Sequence, residues 1–380
     1  MKRRDFLAVG AGLGIVTGVG RSAMAASSRR SKAVIDPAAA KFLAAFPQSA
    51  GMSIGVWRYG EAETFNYGVV RRGGSERPKA DTIYPIASIT KTFTGVLLAQ
   101  TALDGKLKLD DDIRLYLDGH YPNLEFEGHP IRMYDLLDHR SGLPFIMPNR
   151  PELQPDFVSD VPWMTRIAAL ETTYSRAEFY ADLHKITLPG VPGKHFGYSN
   201  AGATLAGYII ERVCGKPFET LLREGILTRL RMRDTAITLT AAQRAHLAPC
   251  YDGKGEIMPI ASTILQGAGS INSCVHDMLK YAAWHVAETD QAVKLSHAPV
   301  MVDGNYSAGL NWQMLTSYHR RMIWQSGNFE GLHSYCILQP ELKLALVALF
   351  NQADSKSNDG HGQMVNEILA GLDSRAILLP

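Results

Sequence analysis

The sequence predicts a mixed α/β fold of the α+β kind, in which both ends of the chain contribute strands to one sheet and a mainly helical lobe is inserted between them. Two observations lead to this prediction. Runs with the alternation and β-branched content typical of strands occur near the N-terminus and again near the C-terminus. From about residue 113 to residue 265, helical periodicity dominates instead. Strands at both ends can bury their apolar faces in a common sheet, which leaves the helical segment as an insertion.

The predicted elements follow one another in a simple order. A helix opens the globular part, strands and a helix follow, helices fill the middle, and three strands and a closing helix end the chain. The strands are predicted over 52–59, 64–70, 82–86, 322–324, 334–338 and 342–350, and the helices over 37–46, 92–100, 201–213, 217–230 and 362–372. We expect a single domain over 33–380, with a sheet lobe formed by about 33–112 and 266–380 and a helical lobe formed by about 113–265.

The N-terminus has the pattern of an export signal. Arg3 and Arg4 precede a Gly- and Val-rich stretch, and Ala23-Met24-Ala25 forms a small-x-small cleavage site. This predicts a twin-arginine signal peptide over residues 1–25 and a periplasmic or secreted bacterial protein. The apolar stretch is shorter than the roughly 18 residues of a membrane span. We therefore expect no integral membrane segment in the mature chain.

The composition is that of an ordinary globular protein, with 46% hydrophobic and 20% charged residues and a net charge of +2. Such a balance provides no basic surface for nucleic acid. The cysteines are widely spaced, with no Cys-x-x-Cys and no accompanying histidine pattern, so no metal site is predicted. Buried free thiols are favoured over disulfides for these cysteines, which are Cys214, Cys250, Cys274 and Cys336.

Ser88 and Lys91 form the only Ser-x-x-Lys pattern of the chain, between a strand-like run and a helix. Residues three positions apart on a helix share a face, so the lysine can reach the serine hydroxyl. A lysine kept neutral by burial can take the serine proton and so make a weak nucleophile strong. The pattern alone recurs by chance about once in a chain of this length, and the alternative is an ordinary surface pair.

A second pattern lies in the helical middle, where Tyr198 and Asn200 precede a predicted helix. A loop tyrosine can donate or accept a proton, and an asparagine amide offers both a donor and an acceptor. The alternative is a helix cap with Asn200 as the N-cap residue. Tyr121-Pro122-Asn123 also fits Tyr-x-Asn, but it lacks the preceding Pro-Gly and is interpreted as a surface turn.

A third pattern lies at the end of a predicted strand, where a small residue and a glycine could approach a site. An ordinary turn at a strand end is the alternative. The residues of this pattern are Gln325, Ser326, Gly327 and Asn328.

In this order, the three patterns resemble those of the serine β-lactamase and penicillin-binding protein superfamily, most closely its class C, D,D-peptidase and esterase branch. Further segments are similar to the family, among them Leu136-Leu137-Asp138-His139-Arg140-Ser141-Gly142-Leu143-Pro144 and Gly309-Leu310-Asn311-Trp312. Together the similar segments extend over about residues 51–350. The resemblance implies the β-lactamase/D,D-peptidase fold, an antiparallel sheet flanked by N- and C-terminal helices with an inserted helical lobe.

The resemblance also implies a serine hydrolase that acts through an acyl-enzyme. It makes Ser88 the nucleophile and Lys91 its proton acceptor, while Tyr198 moves the proton to the leaving group. Asn200 would position Lys91 and the substrate amide. The backbone N–H groups of Ser88 and Asn328 would form an oxyanion hole, in which the loss of one donor typically costs about 3 kcal/mol of barrier. No cofactor is implied.

Gln325 is where the sequence departs from the family, which usually has Lys or His at this position to hold a substrate carboxylate. Glutamine can donate a hydrogen bond but carries no charge. Together with Ser326, Gly327 and Asn328, it is expected to bind a small-molecule or peptide substrate. Substrates with an essential carboxylate, such as most β-lactams and peptides ending in D-alanine, should therefore bind less well than in typical members. The change favours an esterase or a peptidase with altered preference within a function that is an esterase or a D-amino-acid peptidase of the carboxypeptidase kind, with a class C-type β-lactamase as the alternative.

Three other interpretations remain open from the sequence. Ser53 lies in a Gly-x-Ser-x-Gly pattern, but an α/β-hydrolase elbow needs a strand before it and a helix after it, and here the order is reversed. A non-catalytic penicillin-binding sensor could share the fold. The segment 145–188 either shapes substrate choice or is a packed surface insertion. The oligomeric state is not predicted.

Overall fold

An antiparallel sheet of eight strands lies at the centre of the fold and takes strands from both ends of the chain. The computed structural model describes residues 16–154, 157–260 and 265–380. The strands are β1 (Gly51–Arg58), β2 (Glu61–Gly68), β3 (Ile83–Pro85), β4 (Glu125–Phe126), β5 (His129–Pro130), β6 (Cys250–Tyr251), β7 (Ile257–Met258), β8 (Asn272–Cys274), β9 (Met301–Asp303), β10 (Tyr306–Ala308), β11 (Gln313–Ser317), β12 (Arg320–Phe329), β13 (Leu332–Gln339) and β14 (Leu344–Phe350). The order in the central sheet is β2-β1-β14-β13-β12-β11-β10-β9.

Most of the helices lie between the N-terminal and C-terminal strands. They are α1 (Val16–Ala45), α2 (Thr90–Leu103), α3 (Trp163–Ala168), α4 (Arg176–Leu183), α5 (Asn200–Cys214), α6 (Phe218–Leu222), α7 (Thr228–Leu230), α8 (Ala241–Ala245), α9 (Gln266–Gly269), α10 (Val275–Ala287), α11 (Gln291–His297) and α12 (Ser355–Leu372). The predicted fold class is confirmed: helices from the two ends flank the sheet, and a mainly helical part is inserted.

The strand β14 shows why the sheet needs both ends of the chain. It pairs with β1 on one side and β13 on the other, so Leu349 lies opposite both Ser53 and Ser334. Successive side chains of a strand point to opposite faces, and both faces of β14 are covered. Leu344, Leu346, Ala348 and Phe350 join the core that includes α1 and α12, whereas Ala345, Val347 and Leu349 join the core of the helical part. This explains the continuous apolar run that predicted the strand.

The single helix predicted over 217–230 is wrong in detail. The segment is divided into α6, a π-helical turn over Arg223–Leu227, and α7. Gln100 of α2 explains the break, because its Nε2 donates a 3.2 Å hydrogen bond to the carbonyl oxygen of Gly225. A side chain that inserts into the helical ladder in this way disturbs its regular spacing.

The N-terminal helix is longer than predicted. The helix was predicted to begin at Pro37, but α1 begins at Val16 and continues through this proline. The turn before it is held by packing and polar contacts, since Ile35 is fully buried and Tyr67 donates a 2.7 Å hydrogen bond to Asp36. The twin-arginine pair lies outside the described residues. Among the helices of the described residues, none combines the length and the apolar character of a membrane span.

The strands β9, β10 and β11 were not predicted from the sequence. They are short and mix buried with exposed positions, so their alternation is weak. All four cysteines are free, and all but the half-buried Cys214 are buried.

Candidate active site

Ser88 lies in a tight turn that leads from β3 into α2. The turn is a 3₁₀ helix over Ala87–Ile89, in which Ala87 has a φ of 44°, a left-handed conformation that is uncommon for a residue with a side chain. The serine is only 7% exposed. A strained turn of this kind fixes one orientation of the side chain, and such strain is often found at functional sites.

Gly327 brings β12 against this turn. A Cβ atom at Gly327 would lie 2.3 Å from the carbonyl oxygen of Ile86 and 2.9 Å from the Cβ of Ala87. Only glycine permits this approach without a shift of the backbone. The pattern that contains Gly327 therefore lies against the turn that carries Ser88.

Lys91, one turn into α2, is fully buried and has three polar partners. Its Nζ lies 2.9 Å from Ser88 Oγ, 2.8 Å from Asn200 Oδ1 and 2.7 Å from the carbonyl oxygen of Ala268. No ion pair of Lys91 occurs within the described part of the chain. Burial therefore lowers the pKa of Lys91 well below that of a free lysine.

Tyr198 approaches Ser88 from the helical side. Its hydroxyl donates a 2.7 Å hydrogen bond to Ser88 Oγ, and Lys91 Nζ lies 4.9 Å from the centre of its ring. Burial raises the pKa of Tyr198 to about 12, against the opposing effect of the hydrogen bond to Ser88. Tyr198 is therefore a neutral phenol at ordinary pH, and the first two sequence patterns lie side by side.

Asn200 is not the helix cap that the alternative interpretation suggested. Ser199 caps α5, because its Oγ accepts a 2.8 Å hydrogen bond from the backbone N–H of Gly202. The side chain of Asn200 is thereby free to contact Lys91, and its backbone N–H donates a 2.7 Å bond to the carbonyl oxygen of Phe145.

His139 is a site residue that the sequence patterns did not single out, although it lies in the segment similar to the family. Its Nδ1 accepts a 3.2 Å hydrogen bond from the backbone N–H of Ser199, and its ring centre lies 4.2 Å from that of Tyr198. Burial and the nearby Lys91 lower the pKa of His139 to about 3. It is therefore a neutral support for the loop that carries Tyr198.

Gln325 lies in the wall of the cleft but uses its amide within the protein. Its Nε2 donates a 3.0 Å hydrogen bond to the carbonyl oxygen of Asn311, and its Oε1 accepts a 3.0 Å bond from the backbone N–H of Ser326. The side chain is 4% exposed. Both functional atoms of the amide are thus already bonded.

Ser88 opens into a cavity of about 490 Å³. No lysine or arginine occurs among the described residues that line it, whereas the carboxylates of Glu330 and Asp354 do. The remaining lining residues include Tyr198, Asn200, Gln325, Ser326 and Asn328 from the sequence patterns, and the aromatic side chains of Phe145, Trp163 and Phe329. A larger cavity, of about 680 Å³, shares no lining residue with it and contains the ion pairs Arg176–Glu211 and Arg212–Asp118.

Two competing patterns are structural. Ser53 is a fully buried residue of β1, and its hydroxyl lies 3.0 Å from that of Tyr84. Asn123 donates hydrogen bonds to the carbonyl oxygens of Leu183 and Ile186, and Tyr121 is 3% exposed. The segment is a turn at the surface, as interpreted, in which Pro122 is exposed, Asn123 is half-buried and only the Tyr121 side chain is buried.

Comparisons with known proteins find similarity over most of the chain. The beta-lactamase family model matches residues 39–369. The "Beta-lactamase" of Pseudomonas fluorescens is 26% identical over 282 residues, which cover 70% of this chain and 69% of that protein. The "D-alanyl-D-alanine-carboxypeptidase/endopeptidase AmpH" of Escherichia coli is 24% identical over 326 residues, which cover 80% of each chain.

Solved structures share the fold. A "Beta-lactamase/D-alanine Carboxypeptidase from Yersinia pestis complexed with citrate" superposes with a TM-score of 0.73 and 24% identity, over 90% of this chain and 99% of that chain. A "class C beta-lactamase" superposes with a TM-score of 0.75 and 21% identity, over 92% of this chain and 97% of that chain.

Proposed function

Because this chain belongs to the beta-lactamase family, we propose that it is an exported serine hydrolase that cleaves ester or amide bonds through an acyl-enzyme formed on Ser88. The observation that carries the proposal is the set of partners around Lys91. A neutral amine has two N–H donors and one lone pair. Asn200 Oδ1 and the carbonyl oxygen of Ala268 can only accept, so they occupy the two donors and direct the lone pair at Ser88 Oγ.

This arrangement supports a proton path with three steps. Ser88 Oγ attacks the carbonyl carbon of the substrate as its proton moves to Lys91. Tyr198, whose hydroxyl lies 2.7 Å from the same oxygen, gives a proton to the leaving group and is reprotonated at the expense of Lys91. Water then cleaves the acyl-enzyme by the reverse path. The backbone N–H groups of Ser88 and Asn328 are proposed to hold the oxyanion.

The cavity walls favour substrates without an essential carboxylate. Gln325 adds no charge, its amide is bonded inside the protein, and the nearby ionisable groups are the carboxylates of Glu330 and Asp354. An anionic substrate group would meet only negative charge there. We therefore favour an esterase or a D-amino-acid peptidase over a class C-type β-lactamase. Ser326 and Asn328 would contact the substrate, and Gly327 would act by letting β12 approach.

We also propose that residues 1–25 are a twin-arginine signal peptide and that the protein acts in the periplasm or outside the cell. The sequence pattern supports this proposal. Residues 33–380 would form the single catalytic domain, and its partner is a small molecule or a peptide.

The test of the activity is a labelling and turnover experiment. Ser88→Ala should abolish both hydrolysis of p-nitrophenyl acetate and covalent labelling by a fluorophosphonate, because it removes the nucleophile and leaves the fold intact. Ser53→Ala is the matched control and should retain both. Labelling of Ser88 by a fluorescent penicillin without turnover of any ester, D-Ala-D-Ala peptide or nitrocefin would instead support a sensor.

A further inference from the structure

A continuous arc of aromatic rings borders the cleft. The ring centres of Tyr198 and Phe145 are 6.1 Å apart, those of Phe145 and Trp163 are 5.7 Å apart, and those of Trp163 and Phe329 are 5.5 Å apart. All four side chains line the same cavity as Ser88. We call these four residues the aromatic arc. Because its members come from separate parts of the chain, the arc exists only in the folded protein.

Glu330, which directly follows Phe329, connects this part of the arc to Trp163. Its Oε1 accepts a 2.7 Å hydrogen bond from the backbone N–H of Trp163, and its Oε2 accepts a 2.9 Å bond from that of Met164. These N–H groups begin α3 and have no partner within a helix. The carboxylate therefore fastens α3 to the turn that follows β12. The segment 145–188 is thus attached to the cleft and supplies one of its walls.

Phe145, Trp163 and Phe329 line the cavity with apolar side chains, although Trp163 is only 9% exposed. The one polar atom of the Trp163 side chain, Nε1, donates a 2.9 Å hydrogen bond to the carbonyl oxygen of Leu153. Its N–H is therefore already bonded within the protein. Phe145 and Phe329 are only partly buried, although both pack against the core. Trp163 and Phe329 are nearly parallel, with 20° between their planes. A flat apolar group can bury its faces against such a surface.

We infer that the Phe145, Trp163 and Phe329 part of the arc is a subsite for a flat apolar acyl group, such as a phenylacetyl group. This inference rests on the proposed function. The leaving group must lie near the Tyr198 hydroxyl, which gives it a proton. The acyl carbonyl must lie near Ser88 and Asn328, and Phe329 directly follows Asn328 in β12. The acyl group is therefore placed beside Phe329 and Trp163, at the end of the arc remote from Tyr198.

The experiment compares esters that share one leaving group. We measure kcat/KM for p-nitrophenyl phenylacetate and p-nitrophenyl acetate and use their ratio, which removes general damage to the enzyme. Trp163→Ala and Phe329→Ala should each lower this ratio on the order of tenfold, because an aromatic contact is lost. Phe157→Ala is the matched control, since Phe157 lies on the same segment, is 43% exposed and does not line the cavity. It should leave the ratio unchanged.

Glu330 is a positioning residue, and its variants change the attachment of α3 while leaving the aromatic rings in place. Glu330→Gln keeps one acceptor for the two N–H groups and should lower the ratio mainly through a higher KM for the phenylacetyl ester, whereas Glu330→Asp should restore part of it.

If Trp163→Ala does not fold, Trp163→Leu retains burial and removes only the aromatic face. A second ester pair, phenyl acetate and methyl acetate, varies the leaving group alone.

The outcomes are distinct. An unchanged phenylacetyl-to-acetyl ratio in the folded Trp163 and Phe329 variants, with acetate still hydrolysed, overturns the subsite and leaves the proposed function standing. A fall confined to the phenyl acetate pair assigns the arc to the leaving group and also overturns the inference. If the unmodified protein neither hydrolyses an ester nor is labelled at Ser88, the proposed function itself fails.

Discussion

At the scale of single residues, the proposed mechanism requires that Lys91 be neutral before Ser88 can react. Burial lowers the pKa of Lys91, so its neutral fraction rises with pH through a value well below that of a free lysine. We expect kcat/KM for p-nitrophenyl acetate to rise in the same way as the pH increases. Lys91→Arg should lower kcat/KM at least a hundredfold, about as much as Lys91→Ala, since arginine cannot be deprotonated in this range.

The control for this experiment is Lys79→Arg, because the Lys79 side chain is 70% exposed. It should change neither the rate nor its pH dependence. A Lys91→Arg enzyme that remained active would show that position 91 supplies only positive charge, and the base would then be Tyr198.

Gln325 tests the substrate preference. Gln325→Lys can still donate to the carbonyl oxygen of Asn311 but brings a positive charge into a cavity wall that has no lysine or arginine among its described residues. We expect it to raise the kcat/KM ratio of carboxylate-bearing to neutral substrates by at most about 1.5–3 kcal/mol, the contribution of a charged hydrogen bond. The effect should weaken as salt increases if water reaches the site.

The matched control is Gln313→Lys, since Gln313 lines the same cavity. An equal gain from that variant would indicate a general effect of charge. No gain from Gln325→Lys in a folded, active enzyme would mean that Gln325 says nothing about substrate charge, and the preference for an esterase would lose its main support.

At the scale of elements, the contact between β12 and the Ser88 turn can be broken with one methyl group. Gly327→Ala would place its Cβ 2.3 Å from the carbonyl oxygen of Ile86. Overpacking of this kind costs about 1–3 kcal/mol of stability. We expect a lower midpoint of urea unfolding together with slower fluorophosphonate labelling of Ser88. Gly190→Ala, where a Cβ meets nothing within 4 Å, is the control and should change neither quantity.

The same elements show what sequence could predict. The strand β14 was predictable from its continuous apolar run, because both of its faces are buried, and α5 was predictable from its helical pattern. The contact between Ser88 and Lys91 was predictable because residues three positions apart at the start of a helix share a face, whereas Tyr198 was assigned to the site through the resemblance to the family. The bond between Glu330 and Trp163 joins residues 167 positions apart, and no local pattern records such a contact. The role of segment 145–188 therefore required the structure.

At the scale of the whole molecule, the proposed site is assembled from parts of the chain that are far apart in sequence. Ser88 and Lys91 come from its first third, Tyr198 and Asn200 from its middle, and β12 from near its end. The pairing of β1 with β14 joins the two ends into the sheet that holds these parts together. Stability of the sheet and integrity of the site are therefore linked, and acid should affect both.

The burial of neutral histidines makes the stability of the fold depend on pH. A histidine whose pKa is lowered in the folded state takes up a proton on unfolding, so it stabilises the fold fully above its unfolded pKa of about 6.5 and progressively less as the pH falls below that value. His139 and His333, whose pKa values burial lowers to about 3 and about 4, should each remove about 1.5 kcal/mol between pH 6.5 and pH 5. Asp135, whose pKa burial raises to about 6, acts in the opposite direction. The described histidines with a lowered pKa are His139, His285, His297, His333 and His361.

We therefore expect the free energy of unfolding in urea to be lower at pH 5 than at pH 7. His361 offers a direct test, because its ring packs between Phe42 and Phe350 and its Nδ1 lies 3.2 Å from that of His333. His361→Phe retains the packing and removes the titrating group, so the difference between the free energies of unfolding at pH 7 and pH 5 should become smaller. His120→Phe, an exposed control, should leave the difference unchanged. An equal pH dependence in the His361→Phe variant and the unmodified protein would show that acid destabilises this fold through its carboxylates instead.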